Sequence, residues 1–418
     1  MSEYYAALKT TKSINTMNIS SFAAKLYDNN DRVIGIFETI EKNFVIDGNS
    51  FFQTIADLRM KQAVEQNPSL KETNIKTKMT SPQYAKCTQS PITDKPEPWF
   101  EVEKQLLASF GNWAEAWCAF NIWNIHHKYH TKNKSSINYN NFEDSQDEQL
   151  FIDFVVQRVE EHSNLYYSPH SPYPMLLPDI ILLTNLYTLV WEQHWYEILY
   201  KMEISVMGTH FILAQKNNHL DYPVVVSTAL INTYENSEDW LSFAPFFRAD
   251  YWHSINQNKL AEEFERLDIL PDMVKFSDIK SYEEFESSLW HSIEKKSKCC
   301  EVIRLTVAGN TRQRIFLLYL CQKRLMQQLH NFGFDVAFTI IEQPLMLHYY
   351  QSLTDNEYIP FSYCKLTPES AKSVTHKGVW VVDKLKHALS QCRYQHYKTA
   401  TFHKLKQHRL HGNEPRHI

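Results

Sequence analysis

Residues 300–341 constrain the chain most. Cys300 to Val307 is an apolar run of strand length, and Ala308-Gly309-Asn310 after it is a tight turn. Arg312 to Phe332 then repeats apolar residues at helical spacing, Gly333 stops the helix, and Asp335 to Ile341 is a second strand. Two strands joined by a helix with connections this short make a β-α-β unit, whose strands run parallel.

The segments around this unit extend the pattern. His210 to Gln215 and Pro223 to Ile231 read as strands. Helical patterns follow near 255–267 and 281–293. After Ile341 come a helix from Pro344 to Leu353 and strands over Tyr358–Leu366 and Gly378–Val382. Upstream, residues 99–130 read as helical and Phe151 to Val159 as a further helix. Pro169, Pro172, Pro174 and Pro178 break the chain at a plausible domain boundary, after which Asp179 can cap a helix reaching about Met202. The reading is an α/β protein in three parts: a mainly helical region 1–165, an α/β domain 166–388 and a basic, His-rich tail 389–418.

Charge and composition exclude several classes. The net charge is −5, yet Lys384 to Ile418 holds eight Lys/Arg and a single acid, Glu414. The body is therefore acidic, and nucleic acid is not expected as a partner. A solvated, disordered tail is the default for its composition. Only 8 of 418 residues are glycine, and no G-x-G-x-x-G, P-loop or G-x-S-x-G occurs. The seven cysteines form no C-x-x-C. No signal segment or bilayer-length apolar run is present, so a cytoplasmic chain with no integral membrane segment is expected. His126 and His130 lie i,i+4 on a helix without an evident third ligand, so no metal is assigned.

Three segments carry a family resemblance. The β-α-β unit is similar to the acyl-donor half of the GCN5-related N-acetyltransferase (GNAT) fold, a mixed sheet flanked by helices. Glu301-Val-Ile-Arg304-Leu-Thr-Val resembles the E-x-S-R-F segment of LuxI-type acyl-homoserine-lactone synthases, with Ile303 and Leu305 replacing Ser and Phe. Phe338-Thr-Ile-Ile341 resembles their Y-T-x-V strand. Val224 to Thr233 resembles V-x-G-x-x-R-L-x-P-T, with Ala229 in place of Arg and Asn232 in place of Pro. With its extra N-terminal region, the chain most resembles the LuxM/AinS family of quorum-sensing autoinducer synthases.

The resemblance implies a chemistry. The α-amine of S-adenosylmethionine attacks an acyl thioester, the substrate's own carboxylate then closes the lactone, and methylthioadenosine leaves. No cofactor is implied, since S-adenosylmethionine enters as substrate. Two diverging strands would hold the donor's pantetheine arm by their backbone groups. Glu301 is the candidate base or base-positioning carboxylate, and Arg304 the candidate clamp for the substrate carboxylate. On an unbroken strand these two point to opposite faces, and a bulge between them would remove that conflict. Trp195, Phe338, Thr339, Ile340 and Met346 are candidate substrate contacts, with Leu345 and Leu347 as neighbours.

Val307, Ala308, Gly309, Arg312 and Arg314 are candidate acyl-donor contacts. Relatives that grip coenzyme A carry glycines after the basic residue at this helix start, whereas this chain has Arg312-Gln-Arg-Ile-Phe-Leu317. The expected donor is therefore an acyl carrier protein, with acyl-CoA as the other possibility. Lys295, Lys296, Lys298, Arg312, Arg314, Lys323 and Arg324 form a candidate basic docking face. Two other readings stay open: a GNAT-type N-acyltransferase acting on another amine, and a non-enzymatic protein binding nucleic acid through its basic tail.

Overall fold

The structure, a computed structural model, describes residues 31–43, 48–71, 78, 83, 97–110, 113–130, 145–192, 207–235, 240–243, 247, 252–271, 276, 279, 281–341, 345–353, 356–365 and 374–411. Among the described residues, four longer helices come first: α1 (Asp31–Asn43), α2 (Gly48–Gln66), α3 (Glu97–Phe110) and α4 (Trp113–His130). Next are β1 (Phe151–Val156), β2 (Leu165–Ser168), β3 (Ser171–Leu176) and α5 (Leu177–Asn185), continued as a π-helical turn over Leu186–Glu192. Then follow β4 (Thr209–Gln215), β5 (Val224–Thr233), β6 (Trp252–Ser254), α6 (Gln257–Arg266), α7 (Tyr282–Ser292) and β7 (Cys299–Val307). The chain continues as α8 (Thr311–Asn331), β8 (Val336–Ile341), α9 (Leu345–Tyr350), β9 (Tyr358–Lys365), β10 (Val374–Val381), α10 (Val382–Gln391) and α11 (Tyr394–His411).

The chain divides into two compact units. One comprises residues 1–143, 159–207 and 216–225. Its core packs Phe37 and Phe52 against Phe120, with ring centroids 5.5 and 5.3 Å away. Arg59 and Glu103 form a buried ion pair there. The proline-rich stretch does not simply break the chain. It folds into the β2–β3 hairpin, with Ser168 opposite Ser171 and Tyr166 opposite Met175. Pro172 and Pro174 fit because β3 pairs only with β2, so one edge needs no N–H. Leu176, not Asp179, is the N-cap of α5. Asp179 lies in the first turn and accepts hydrogen bonds from Lys128 (2.6 Å) and from the Tyr129 hydroxyl. His126 Nε2 donates to the His170 carbonyl at 3.1 Å, so one nitrogen of the His126/His130 pair is already used.

The other unit comprises residues 144–158, 208–215 and 226–418. Its mixed sheet runs β1-β4-β5-β7-β8-β10-β9-β6 among the described residues. The expected helix over Phe151–Val159 is instead strand β1 through Val156, antiparallel to β4 over six residue pairs. Its β-branched and aromatic residues fit a strand as readily as a helix face, and pairing decides. The β7–α8–β8 crossover is the expected one, and β7 and β8 are parallel. On one sheet face α6 and α7 bury Val336, Phe338, Val379 and Val381 with Trp240, Phe264, Phe285 and Trp290. α8 packs against α10 and α11, and α9 against α11.

Within the basic tail, residues Tyr394–His411 form helix α11 rather than a disordered segment. Tyr394, Tyr397, Thr401 and Leu405 recur along α11 and are buried. The Tyr397 ring lies 5.3 Å from that of Tyr319, tilted by 51°, and its hydroxyl accepts from Gln322 Nε2 at 2.7 Å.

Candidate active site at the β7–β8 divergence

The two parallel strands pair only at Cys299–Val336, Cys300–Ala337 and Glu301–Phe338. Beyond that point β7 continues to Val307 and β8 to Ile341 without pairing to each other. Each keeps its other edge bonded: Val307 opposes Ser227 of β5, and Ile341 opposes His376 of β10. The result is a wedge whose two inner edges carry backbone N–H and C=O groups. Such groups form hydrogen bonds when a partner is available.

A bulge shapes one edge. The β5–β7 register shifts between Thr228–Thr306 and Leu230–Ile303, so Arg304 and Leu305 together oppose Ala229. Arg304 has φ +55°, a left-handed backbone rare for a non-glycine residue. Strand alternation is broken at Arg304 itself rather than ahead of it. Arg304 is half-buried.

Glu301 is fully buried at the apex. Its Oε1 accepts from Ser242 N (2.8 Å) and Ser242 Oγ (2.7 Å), and its Oε2 from Leu241 N (2.8 Å) and Asn232 Nδ2 (3.2 Å). Four donors fill the four acceptor positions of an ionised carboxylate. Burial pushes the Glu301 carboxyl above its usual range, and the bonds from Ser242, Leu241 and Asn232 pull it back down. Asn232, which stands where LuxI-type proteins carry proline, sits opposite Glu301 and holds it.

The candidate substrate contacts divide between the two faces. Phe338 lies 4.7 Å from Trp290 and 5.7 Å from Trp240, and Phe243 lies 4.7 Å from Trp290. Ile340 packs against this same cluster. Thr339 faces the other way, its hydroxyl 3.1 Å from that of buried Tyr358. Tyr358 reaches it across Gly378, where an added Cβ would come within 2.2 Å of the phenolic oxygen. Met346 is half-buried on α9, and Trp195 lies outside the described residues. Sequence reading missed Trp240, Ser242, Phe243 and Trp290. The one available signal was aromatic density in the segment 240–247, since nothing local ties it to Glu301.

At the donor end, Ala308 N donates to Val226 O at 2.8 Å, and Gly309 has φ +90°. The start of α8 is closed by its own side chains. Asn310 Oδ1 accepts from Arg312 N and Gln313 N, and Gln313 Oε1 accepts from Asn310 N. This reciprocal cap takes up backbone donors that would otherwise grip a pyrophosphate. Arg312 is exposed and Arg314 half-buried. Much of the expected basic docking face is neutralised within the unit: Lys298 by Asp335 (2.6 Å), Lys323 by Glu148 (2.9 Å), Arg324 by Asp153 (3.7 Å), and Lys295 by Asp268. Lys296 lies over the Tyr234 ring at 5.1 Å.

Comparison with known proteins agrees with this architecture. A family profile described as acyl homoserine lactone synthase matches residues 29–410. The chain is 31% identical to the acyl-homoserine-lactone synthase OpaM of Vibrio parahaemolyticus, over 84% of this chain and 86% of that protein. It is 33% identical to the acyl-homoserine-lactone synthase LuxM of Vibrio campbellii, over 72% of this chain and 73% of that protein. No solved structure matches significantly. Among the described residues no helix is long and apolar enough to cross a membrane. A profile match over most of the chain, with these relatives aligned over 86% and 73% of their own length, establishes that this chain belongs to the acyl-homoserine-lactone synthases, acyltransferases that make quorum-sensing autoinducers.

Proposed function

We propose that the chain transfers an acyl group from a carrier-protein thioester to S-adenosylmethionine, in the cytoplasm and with no further cofactor. The α-amine attacks the thioester carbonyl, the C–N bond forms, the C–S bond breaks, and the carrier thiol leaves. The methionyl carboxylate then attacks its own γ-carbon, which closes the lactone and expels methylthioadenosine. The observation that carries this reading is the wedge after Glu301–Phe338, because a pantetheine arm is an extended chain of amides that its edges fit.

In this reading Arg304 clamps the substrate carboxylate bidentately. Glu301, its acceptor positions occupied, serves as a base-positioning carboxylate rather than the group that takes the proton. Phe338 and Ile340 meet the acyl chain on the aromatic face. Thr339 and Met346 line the other side of the wedge, and Trp195 contributes to S-adenosylmethionine binding. Val307, Ala308, Gly309, Arg312 and Arg314 meet the donor where its arm leaves the wedge. The closed start of α8 favours a carrier protein over coenzyme A as donor.

Mass spectrometry of the purified chain with S-adenosylmethionine tests this. Acyl-carrier thioester should give acyl-homoserine lactone and methylthioadenosine, at a higher kcat/KM than the matching acyl-CoA. Arg304→Ala should give neither product while keeping its circular dichroism. Absence of both products from the folded parent chain overturns the reading. Acyl transfer without methylthioadenosine points instead to an N-acyltransferase of another amine.

A further inference from the structure

Two buried charges from two strands hold the same short turn. Glu301 on β7 binds the 3-10 turn Leu241–Phe243 through the N–H groups of Leu241 and Ser242 and the Ser242 hydroxyl. Lys377 on β10 holds it from the carbonyl side: its Nζ donates to Ser242 O at 3.3 Å and to Phe247 O at 2.6 Å. The same ammonium donates to the Tyr282 hydroxyl (2.8 Å) and to Glu286 Oε1 (2.6 Å), both on α7. Its charge also lies 5.4 Å from the Trp252 ring centroid and 5.5 Å from that of Tyr282. Lys377 and Glu286 are nearly fully buried, with side-chain exposures of 1% and 3%.

A buried lysine–glutamate pair is costly to desolvate, and apolar residues of similar size often do as well for stability. Its contacts converge on one short turn and its neighbour Phe247. β8 lies between β7 and β10, so the turn spans β8 on the face where Phe338 is the last paired residue before the wedge opens. Trp240 and Phe243, at the two ends of this turn segment, pack around Phe338 and Trp290. Fixing Ser242 from both sides therefore fixes donors that favour the ionised form of Glu301 at the wedge apex.

We infer that Lys377 is a positioning residue of the synthase site, acting with Glu286 through the backbone of Ser242 to hold Glu301. This rests on the proposed function only where activity is the readout. Among the described residues, the charged and titratable groups around the two anchors are Glu301, Cys299 and Cys300 of β7, Cys364 of β9, Lys377 of β10, and Glu286 and Tyr282 of α7. A loosened turn gives weaker hydrogen bonds to a buried carboxylate, which then protonates at higher pH.

The test uses full-length chain labelled with 13C at the glutamate carboxyl carbons, with the Glu301 resonance identified by its absence in Glu301→Gln. Ser242→Ala removes one hydroxyl bond and is the mild variant. Lys377→Met removes the ammonium, and Lys377→Arg partly restores it. The expected result is a Glu301 midpoint about one pH unit higher in Ser242→Ala, higher again in Lys377→Met, and intermediate in Lys377→Arg. The acid limb of kcat/KM for lactone formation should move with it, with KM little changed. A folded Lys377→Met or Lys377→Arg chain whose Glu301 midpoint superimposes on the parent's overturns the inference. A parent chain that makes no lactone overturns the proposed function instead, and the carboxyl titration still decides the role of Lys377.

Discussion

Gly378 shows how one residue can set the geometry of a whole neighbourhood. It opposes Thr339 on β8, and the ring of Tyr358 lies directly against its Cα. With no side chain at 378, the tyrosine hydroxyl can cross β10 and meet Thr339 at 3.1 Å. Gly378→Ala would force Cβ to within 2.2 Å of that oxygen, inside a fully buried site. Overpacking of this kind costs about 3 kcal/mol. Urea unfolding should show a correspondingly lower midpoint, and an unchanged midpoint would mean that Tyr358 leaves without penalty. The residue scale is also where sequence reading reached least far. Glu301 and Arg304 stood out because they fall in a recognisable segment. Lys377 and Ser242 are 135 positions apart and each is unremarkable locally; only folding brings the Lys377 Nζ to the Ser242 carbonyl.

Among the elements, α11 departs most from expectation. Its composition is that of a solvated tail, yet Tyr394, Tyr397, Thr401 and Leu405 form one buried stripe at steps of three and four. That periodicity was present in the sequence and outweighs the charge density. Tyr397→Ala should therefore cost about 3 kcal/mol, typical of losing a buried aromatic ring. A chain ending at Cys392 should lose soluble expression, since it bares Tyr319 and Gln322 of α8. A truncated chain that stays folded and loses only affinity for nucleic acid would favour the tail-binding alternative. Strands β7, β8 and β9 and helix α8 were legible because period, turn residues and a terminal glycine agree there. Strand β1 was not, because Phe-Ile-Asp-Phe-Val-Val satisfies both periods until β4 pairs with it.

For the molecule as a whole, acid is the telling variable. Each compact unit contains a histidine that burial holds neutral: His126 in one and His376 in the other, both lowered to about 4. Unfolded, each titrates near its ordinary ~6.5. Between these values the unfolded chain binds more protons, so stability is full above about pH 6.5 and falls as pH drops towards 4. Fully buried His126 alone contributes up to about 3 kcal/mol of that loss. Glu301 works in the opposite sense, since burial raises its carboxyl and favours proton uptake in the folded chain. Thermal melts at pH 7 and pH 5 should show the lower transition at pH 5; equal transitions would contradict buried neutral imidazoles.

The cap formed by Asn310 and Gln313 has a consequence for blocking this enzyme. Nucleotide-bearing mimics of the donor bring phosphates for which the start of α8 has few free donors, so those phosphates gain little and lose hydration. On the proposed function the wedge takes an extended amide chain instead. An effective blocker is then a short, uncharged amide compound that lies between β7 and β8 as an added strand, its selectivity set by the aromatic side of the opening.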